Sequence, residues 1–395
     1  MPHAVESVSS EPRDLRAVAE GIARQIAAPS AEAVDRESRF PEEAISALRR
    51  ARLLSAYLPP SMGGEGCSVE DLIEMCQVLG EQCASTAMVF AMHQIEVACL
   101  VHHGMESSWF SAYLRRLAAG QRLIASVTSE VGVGGSMRTS VCAVELQGER
   151  FRLVKDATTI SYGVQADDLL VTARAASDAA PGDQVLLLLQ KEDYQLKQLG
   201  KWDALGMRGT CSAGGLVEAV ASVEQILATP FAEICAETMV PVSHLLWSAV
   251  WCGIARGAVG RAAAWVRGEA RKKPGTTPPA ALRLAEVHAE LQAMRASISA
   301  MASEYRELLG DPHRRSELSG MGFAVRINNL KVNASRAVSR VAEAALQICG
   351  IHGYKNDSPF SVGRQLRDAL SASLMVANDR IYSANASALL VQKEI

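Results

Sequence analysis

The chain has 395 residues, of which 49% are hydrophobic, enough for two or three domains around a large apolar interior. With 40 basic and 43 acidic side chains, the net charge of −3 provides no field for gripping nucleic acid or an anionic bilayer. No uninterrupted apolar run reaches the ~18 residues of a membrane span, and the opening MPHAVESVSSEPRD lacks a secretory core, so the expected compartment is the cytoplasm.

Leu15, Val18, Ile22 and Ile26 recur at three- and four-residue steps, which predicts a helix. Leu72, Met75, Cys76 and Leu79 repeat the pattern after a break at Pro59, Pro60, Gly63 and Gly64. A helical reading continues through 85–118. Near residue 122 the period shortens. Cys142, Val144 and Leu146 alternate with Ala143, Glu145 and Gln147, as one face of a strand would. Phe151–Lys155, Asp168–Ala173 and Val185–Gln190 read as further strands, and Leu196–Lys201 with Leu216–Val223 completes a compact β unit. Trp247–Val266 then predicts a helix buried on several sides, ended by RKKPGTTPPA at 271–280. Leu282–Leu308 and the stripe Val338, Val341, Ala345, Ile348 continue the helical part, and four long helices would make a bundle. The expected divisions are 1–121, 122–236 and 237–395. Nine cysteines form no CxxC pair and read as small buried hydrophobes, with no metal expected.

Five motifs follow in order: SEVGVGGS at 129–136, TISYG at 159–163, GMRGT at 206–210, QICGIHGY at 347–354 and RDA at 367–369. Glycines in the first allow close backbone approach to a planar ligand, while Thr128, Ser129 and Ser136 add hydroxyls. In order and spacing these motifs resemble the acyl-CoA dehydrogenase family across almost the whole chain. The resemblance implies an α+β fold with an N-terminal helical domain, a middle β domain and a C-terminal four-helix bundle. It also implies bound FAD. Thr128, Ser129, Gly134, Ser136, Thr159 and Ser161 would face the flavin, with Thr159 replacing the family's tryptophan. Arg271 would contact the diphosphate or adenine region of FAD, and Gln347, Gly350 and Gly353 would reach the FAD of a neighbouring protomer, which implies a homotetramer or homodimer.

One element of the resemblance is missing. Relatives abstract a substrate proton with a glutamate, and counting from Arg367 and Asp368 places it at Val376, which cannot accept a proton. The alternative family position, near Ser248, carries no acid either. Asp379, three residues on and so toward the same helical face, is a candidate base, alongside His93 and His352. Gln94, Glu96 and Val376 are candidate substrate contacts, Glu96 also being a weaker candidate base, and Glu130 reads as structural. Three readings stay open. The first is a flavin oxidoreductase on an acyl thioester, bound to CoA or an acyl carrier protein. The second is a flavin monooxygenase using O2 and served by a reductase or electron-transfer partner. The third is a non-catalytic flavoprotein or assembly subunit.

Overall fold

A computed structural model of the protein describes residues 13–391; the opening segment, through residue 12, lies outside the described residues. Helix α1 (Leu15–Ile22) starts at Asp14, whose side chain accepts from the Ala17 N–H at 3.0 Å, and runs through a π turn into α2 (Ala28–Arg36). After α3 (Glu42–Arg50), α4 (Val69–Gln82) begins in a capping box between Ser68 and Asp71. The helix expected over 85–118 is two, α5 (Ala84–Gly104) and α6 (Ser108–Gly120). Ser107 breaks the run by capping α6, its hydroxyl accepting from the Phe110 N–H.

Among the described residues seven strands follow: β1 (Ile124–Val127), β2 (Glu145–Gln147), β3 (Arg150–Ala157), β4 (Asp168–Arg174), β5 (Gln184–Gln190), β6 (Tyr194–Leu199) and β7 (Gly214–Ser222). They form two sheets, ordered β1-β4-β5 and β2-β3-β7-β6, and only β1 and β4 run parallel. The strand expected from Cys142 shrinks to β2. Upstream of it the Glu130 carboxylate takes the Val141 and Cys142 N–H groups, which are then not free to pair along a ladder.

Short α7 (Phe231–Ile234) leads through a second π turn into α8 (Val240–Lys272), followed by α9 (Ala280–Gly310) and α10 (Met321–Cys349). Pairs Arg340–Glu290 and Arg326–Glu304 show α9 antiparallel to α10. The chain closes with α11 (Ile351–Tyr354), α12 (Gly363–Leu370) and α13 (Asn378–Val391). The fourth long helix expected is therefore short, since the chain breaks three times after Cys349.

One apolar core joins all three parts. Helices α5 and α8 are its centre, and α4 crosses α8 at very close range: a Cβ on Gly80 would lie 2.7 Å from the Val250 carbonyl oxygen. Both α5 and the α7–α8 helix are long and apolar enough to cross a membrane, contrary to the sequence reading, but 89% of each apolar window is buried by the protein itself.

Candidate active site

The chain leaves β1 at Val127 and enters the loop 128–136, where Gly132, Gly134 and Gly135 have φ of +93°, +58° and +77°. Such angles exclude most side chains and keep the backbone accessible. Ser129 ties this loop to the 159–163 turn: its hydroxyl donates to the Thr159 carbonyl at 2.7 Å and accepts from the Thr159 N–H at 3.0 Å. The 159–163 turn is bound to the segment after Gly206, with the Tyr162 N–H donating to Thr210 O at 2.8 Å and the Ile160 N–H to Ala213 O at 2.9 Å. The hydroxyls of Ser161, Ser212 and Thr210 form a chain with 2.8 and 2.7 Å links. Three of the five motifs are thus joined by hydrogen bonds at one place. Thr128, Ser129, Ser136 and Ser161 are half-buried there, while Gly134 and Thr159 are exposed.

The closing motif locks onto the same region. Asp368 is buried and accepts from the Met207 N–H at 2.7 Å, and burial raises its pKa to about 6. Arg367 pairs with Asp35 and donates to Leu205 O. Arg208 joins this turn to the N-terminal helices through Asp35 O at 2.8 Å. A Cβ on Gly206 would meet the Arg367 carbonyl and, at 2.7 Å, the Asp368 nitrogen, so only glycine fits this crossing.

The missing-base position is a strained turn. Val376 has φ +51°, a left-handed value that is an outlier for a β-branched residue, and is 38% exposed. Behind it stands Lys331 of α10, fully buried. Its ammonium donates to Val376 O at 2.8 Å, Ala372 O at 3.1 Å and Asn378 Oδ1 at 2.8 Å, and lies 5.6 Å from the Trp251 ring. Burial pulls its pKa down to about 8, which leaves it charged at neutral pH. With all three donors engaged, Lys331 has no lone pair to act as a base. Sequence reading missed this residue, yet a signal was there: Lys331 falls on the apolar stripe of Val338, Val341, Ala345 and Ile348, one heptad ahead.

The candidate catalytic residues do not converge. His93 is fully buried, its Nε2–H donating to Leu54 O at 2.7 Å and its Nδ1 accepting from the Ile124 N–H at 3.0 Å. Burial lowers its pKa to about 4, and both nitrogens are spent on backbone, one on the turn at Leu54 and one on β1, so it presents nothing to a substrate. Gln94 is buried beside it and donates to Leu53 O at 2.9 Å. His352 is exposed on α11, edge-on to Phe360. Asp379 is exposed in the first turn of α13, where its charge suits the helix dipole. It is the next residue, Arg380, that reaches the flavin-type loop, at Gly134 O. Glu130 is occupied structurally, with Ser140, Cys142 N–H and Lys155 around it. Glu96 is 3% exposed and, like Gln94, has one side-chain oxygen with no partner among the described residues, but unlike Gln94 it is ionisable.

Arg271, Gln347 and Gly350 are exposed at the C-terminal ends of α8 and α10, whereas Gly353 is buried against Cys349. Beside them Ile351 and Tyr354 are 65% and 73% exposed, an apolar pair turned to solvent.

The residues at this junction fit a flavin: hydroxyls, permissive glycines and exposed backbone are types able to meet ring nitrogens and carbonyl oxygens. Comparison with known proteins points the same way. Residues 9–121 match the acyl-CoA dehydrogenase N-terminal domain and 234–376 the C-terminal domain. Cyclohex-1-ene-1-carbonyl-CoA dehydrogenase of Geobacter metallireducens is 25% identical over 367 residues, covering 91% of this chain and 92% of the relative. The structure of butyryl-CoA dehydrogenase from Megasphaera elsdenii superposes with a TM-score of 0.82 at 20% identity, covering 99% and 100% of the two chains. FMN-bound TdsC of Paenibacillus sp. A11-2, a dibenzothiophene monooxygenase, also gives 0.82, at 22% identity and 96% and 97% coverage. The chain belongs to the acyl-CoA dehydrogenase family and is a flavin-dependent oxidoreductase.

Proposed function

We propose that this enzyme binds FAD and oxidises an acyl thioester, carried by CoA or an acyl carrier protein, without a carboxylate at position 376. The observation that carries this reading is the hydrogen-bonded junction of the 128–136 loop, the 159–163 turn and the 206–213 segment, which gathers several hydroxyls at one place. A bound flavin supplies two-electron acceptance and, once reduced, reactivity with oxygen. Thr128, Ser129, Ser136 and Ser161 would hold the ring edge through hydroxyls, with Gly134 giving backbone access. Arg271, Gln347, Gly350 and Gly353 would serve the nucleotide end of a neighbour's cofactor in a homodimer or homotetramer. The parts divide near residues 121 and 236.

The Val376 turn favours a second reading, monooxygenation with O2 and a separate source of reduced flavin. Lys331 places a cation behind this turn and the turn itself carries no acid facing the cleft, so removal of an α proton there has no acceptor. The deciding experiment is anaerobic mixing of the flavin-loaded protein with a panel of acyl-CoA thioesters, followed by turnover of reduced flavin under labelled oxygen. Bleaching without oxygen supports dehydrogenation. Label in the product supports the second reading, and neither outcome in fully loaded protein overturns both.

A further inference from the structure

The carboxyl of Glu96, buried beside Ser126 of β1 and Tyr162 of the 159–163 turn, is a feature that packing does not explain. It lies in the middle of α5, on the side facing β1, one helical turn from His93, whose ring grips the β1 backbone. On β1, Ser126 alone is half-buried while Ile124, Ala125 and Val127 are buried, so Ser126 borders the accessible side. The strand alternation puts Ser126 and Thr128 on one face, and Thr128 opens the flavin-type loop. Ser126 is also the hydroxyl that stabilises the ionised form of Glu96.

Among the described residues no cation compensates this acid. Around it His93 is neutral, Cys99 and Tyr162 are held in their neutral forms by burial, and the Tyr162 hydroxyl donates to Ile124 O at 3.0 Å. Cys235 on the adjoining π turn is likewise neutral, burial holds His103 toward neutral, and Glu237 pairs with Arg315. The arginines on neighbouring elements, Arg49 and Arg208, are engaged by Asp167 and Asp203. An unpaired buried carboxyl is costly to the fold, and burial raises its pKa to about 8.

Resting on the flavin-enzyme reading above, we propose that Glu96 is the acid of this site, a neutral carboxyl donating a hydrogen bond and, in turnover, a proton to the flavin or substrate bound against the Ser126–Thr128 face. In that step the Glu96 O–H bond breaks, the proton passes to a basic oxygen or nitrogen of the ligand, and the carboxylate left behind is reprotonated from water. The family's base stands on the turn at 376, so this assigns the proton chemistry to a different element, α5.

The test uses the flavin-loaded enzyme with E96Q and, as an apolar filler of the same pocket, E96L. In the wild type the visible spectrum of the bound flavin shifts with an ionisation near pH 8, and turnover falls as pH rises through it. Both variants bind flavin and melt no lower than the wild type, lose the spectral step, and turn over about a hundredfold more slowly at pH 7. An infrared band of a protonated carboxyl, present at pH 7 and absent in E96Q, reports the neutral acid without any substrate. The proposal is overturned if flavin-loaded E96Q keeps the wild-type rate and pH profile, or if that band is missing in the wild type. A wild-type chain that takes up no flavin overturns the flavin reading itself, a result separable from both.

Discussion

At the scale of single residues, position 376 and its support Lys331 make the sharpest claims. A valine at φ +51° stores conformational strain that glycine does not incur. Val376→Gly is expected to raise stability by about 1 kcal/mol, read in chemical denaturation, because the side chain it removes lies at the surface and the core packing stays as it is. Val376→Glu restores a carboxylate where relatives carry one, and should speed anaerobic flavin reduction by acyl-CoA about a hundredfold; an unchanged rate would show that the turn points residue 376 away from the substrate. Lys331→Met strands the Val376 and Ala372 carbonyls, and should cost about 2–3 kcal/mol while changing the visible spectrum of bound flavin. The pH dependence belongs to Glu96. Its folded pKa of about 8 lies above the unfolded carboxyl value, so the stability it contributes is full at acid pH and is lost as pH rises through 8. The melting temperature of the wild type should therefore fall relative to E96Q from about pH 4 to about pH 9, a range that spans the unfolded and the folded pKa.

Among the elements, the α4–α8 crossing and the Gly206 turn decide how the parts are held. Added methyl groups on Gly80 or Gly257 would lie 2.7 Å from facing carbonyl oxygens, and on Gly253 2.9 Å from the Glu81 nitrogen. Because backbone cannot swing aside as a side chain can, Gly253→Ala should cost about 1–3 kcal/mol in denaturant titration. Most elements were legible from period alone. Buried Phe151, Leu153 and Ala157 alternate along β3, and the α10 stripe runs to Ile348. The misses have local causes. Ser107 split one expected helix into two, and Glu130 consumed the donors that would have extended β2. Both are side-chain-to-backbone bonds, which periodicity does not register.

For the whole molecule, the residues proposed to hold the cofactor lie in two groups, one hydrogen-bonded around the 128–136 loop and one at the ends of α8 and α10. The loop, turn and Gly206 segment are bonded together, while Arg271, Gln347 and Gly350 stand exposed at the helix ends with Ile351 and Tyr354 beside them. On the proposed homo-oligomer with shared cofactor sites, assembly and cofactor retention should fail together. Ile351→Glu is expected to shift light-scattering mass toward the monomer and to release flavin on gel filtration; a monomer that keeps its flavin would break that link.

The order of α and β segments, the five motifs and the lack of a glutamate at 376 follow from the chain as written, because helical and strand periods and glycine positions are local properties. Which polar residues are spent on structure was decided only by the folded molecule. His93 and Gln94 sit in as promising a run as Glu96, yet His93 meets the backbones of Leu54 and Ile124 and Gln94 that of Leu53, whereas one Glu96 carboxyl oxygen meets no partner among the described residues. Lys331 likewise gains its place at the Val376 turn from a residue 45 positions away. Hydrogen-bond satisfaction is a property of what packs against a group, and that is set by tertiary contact rather than by neighbours along the chain.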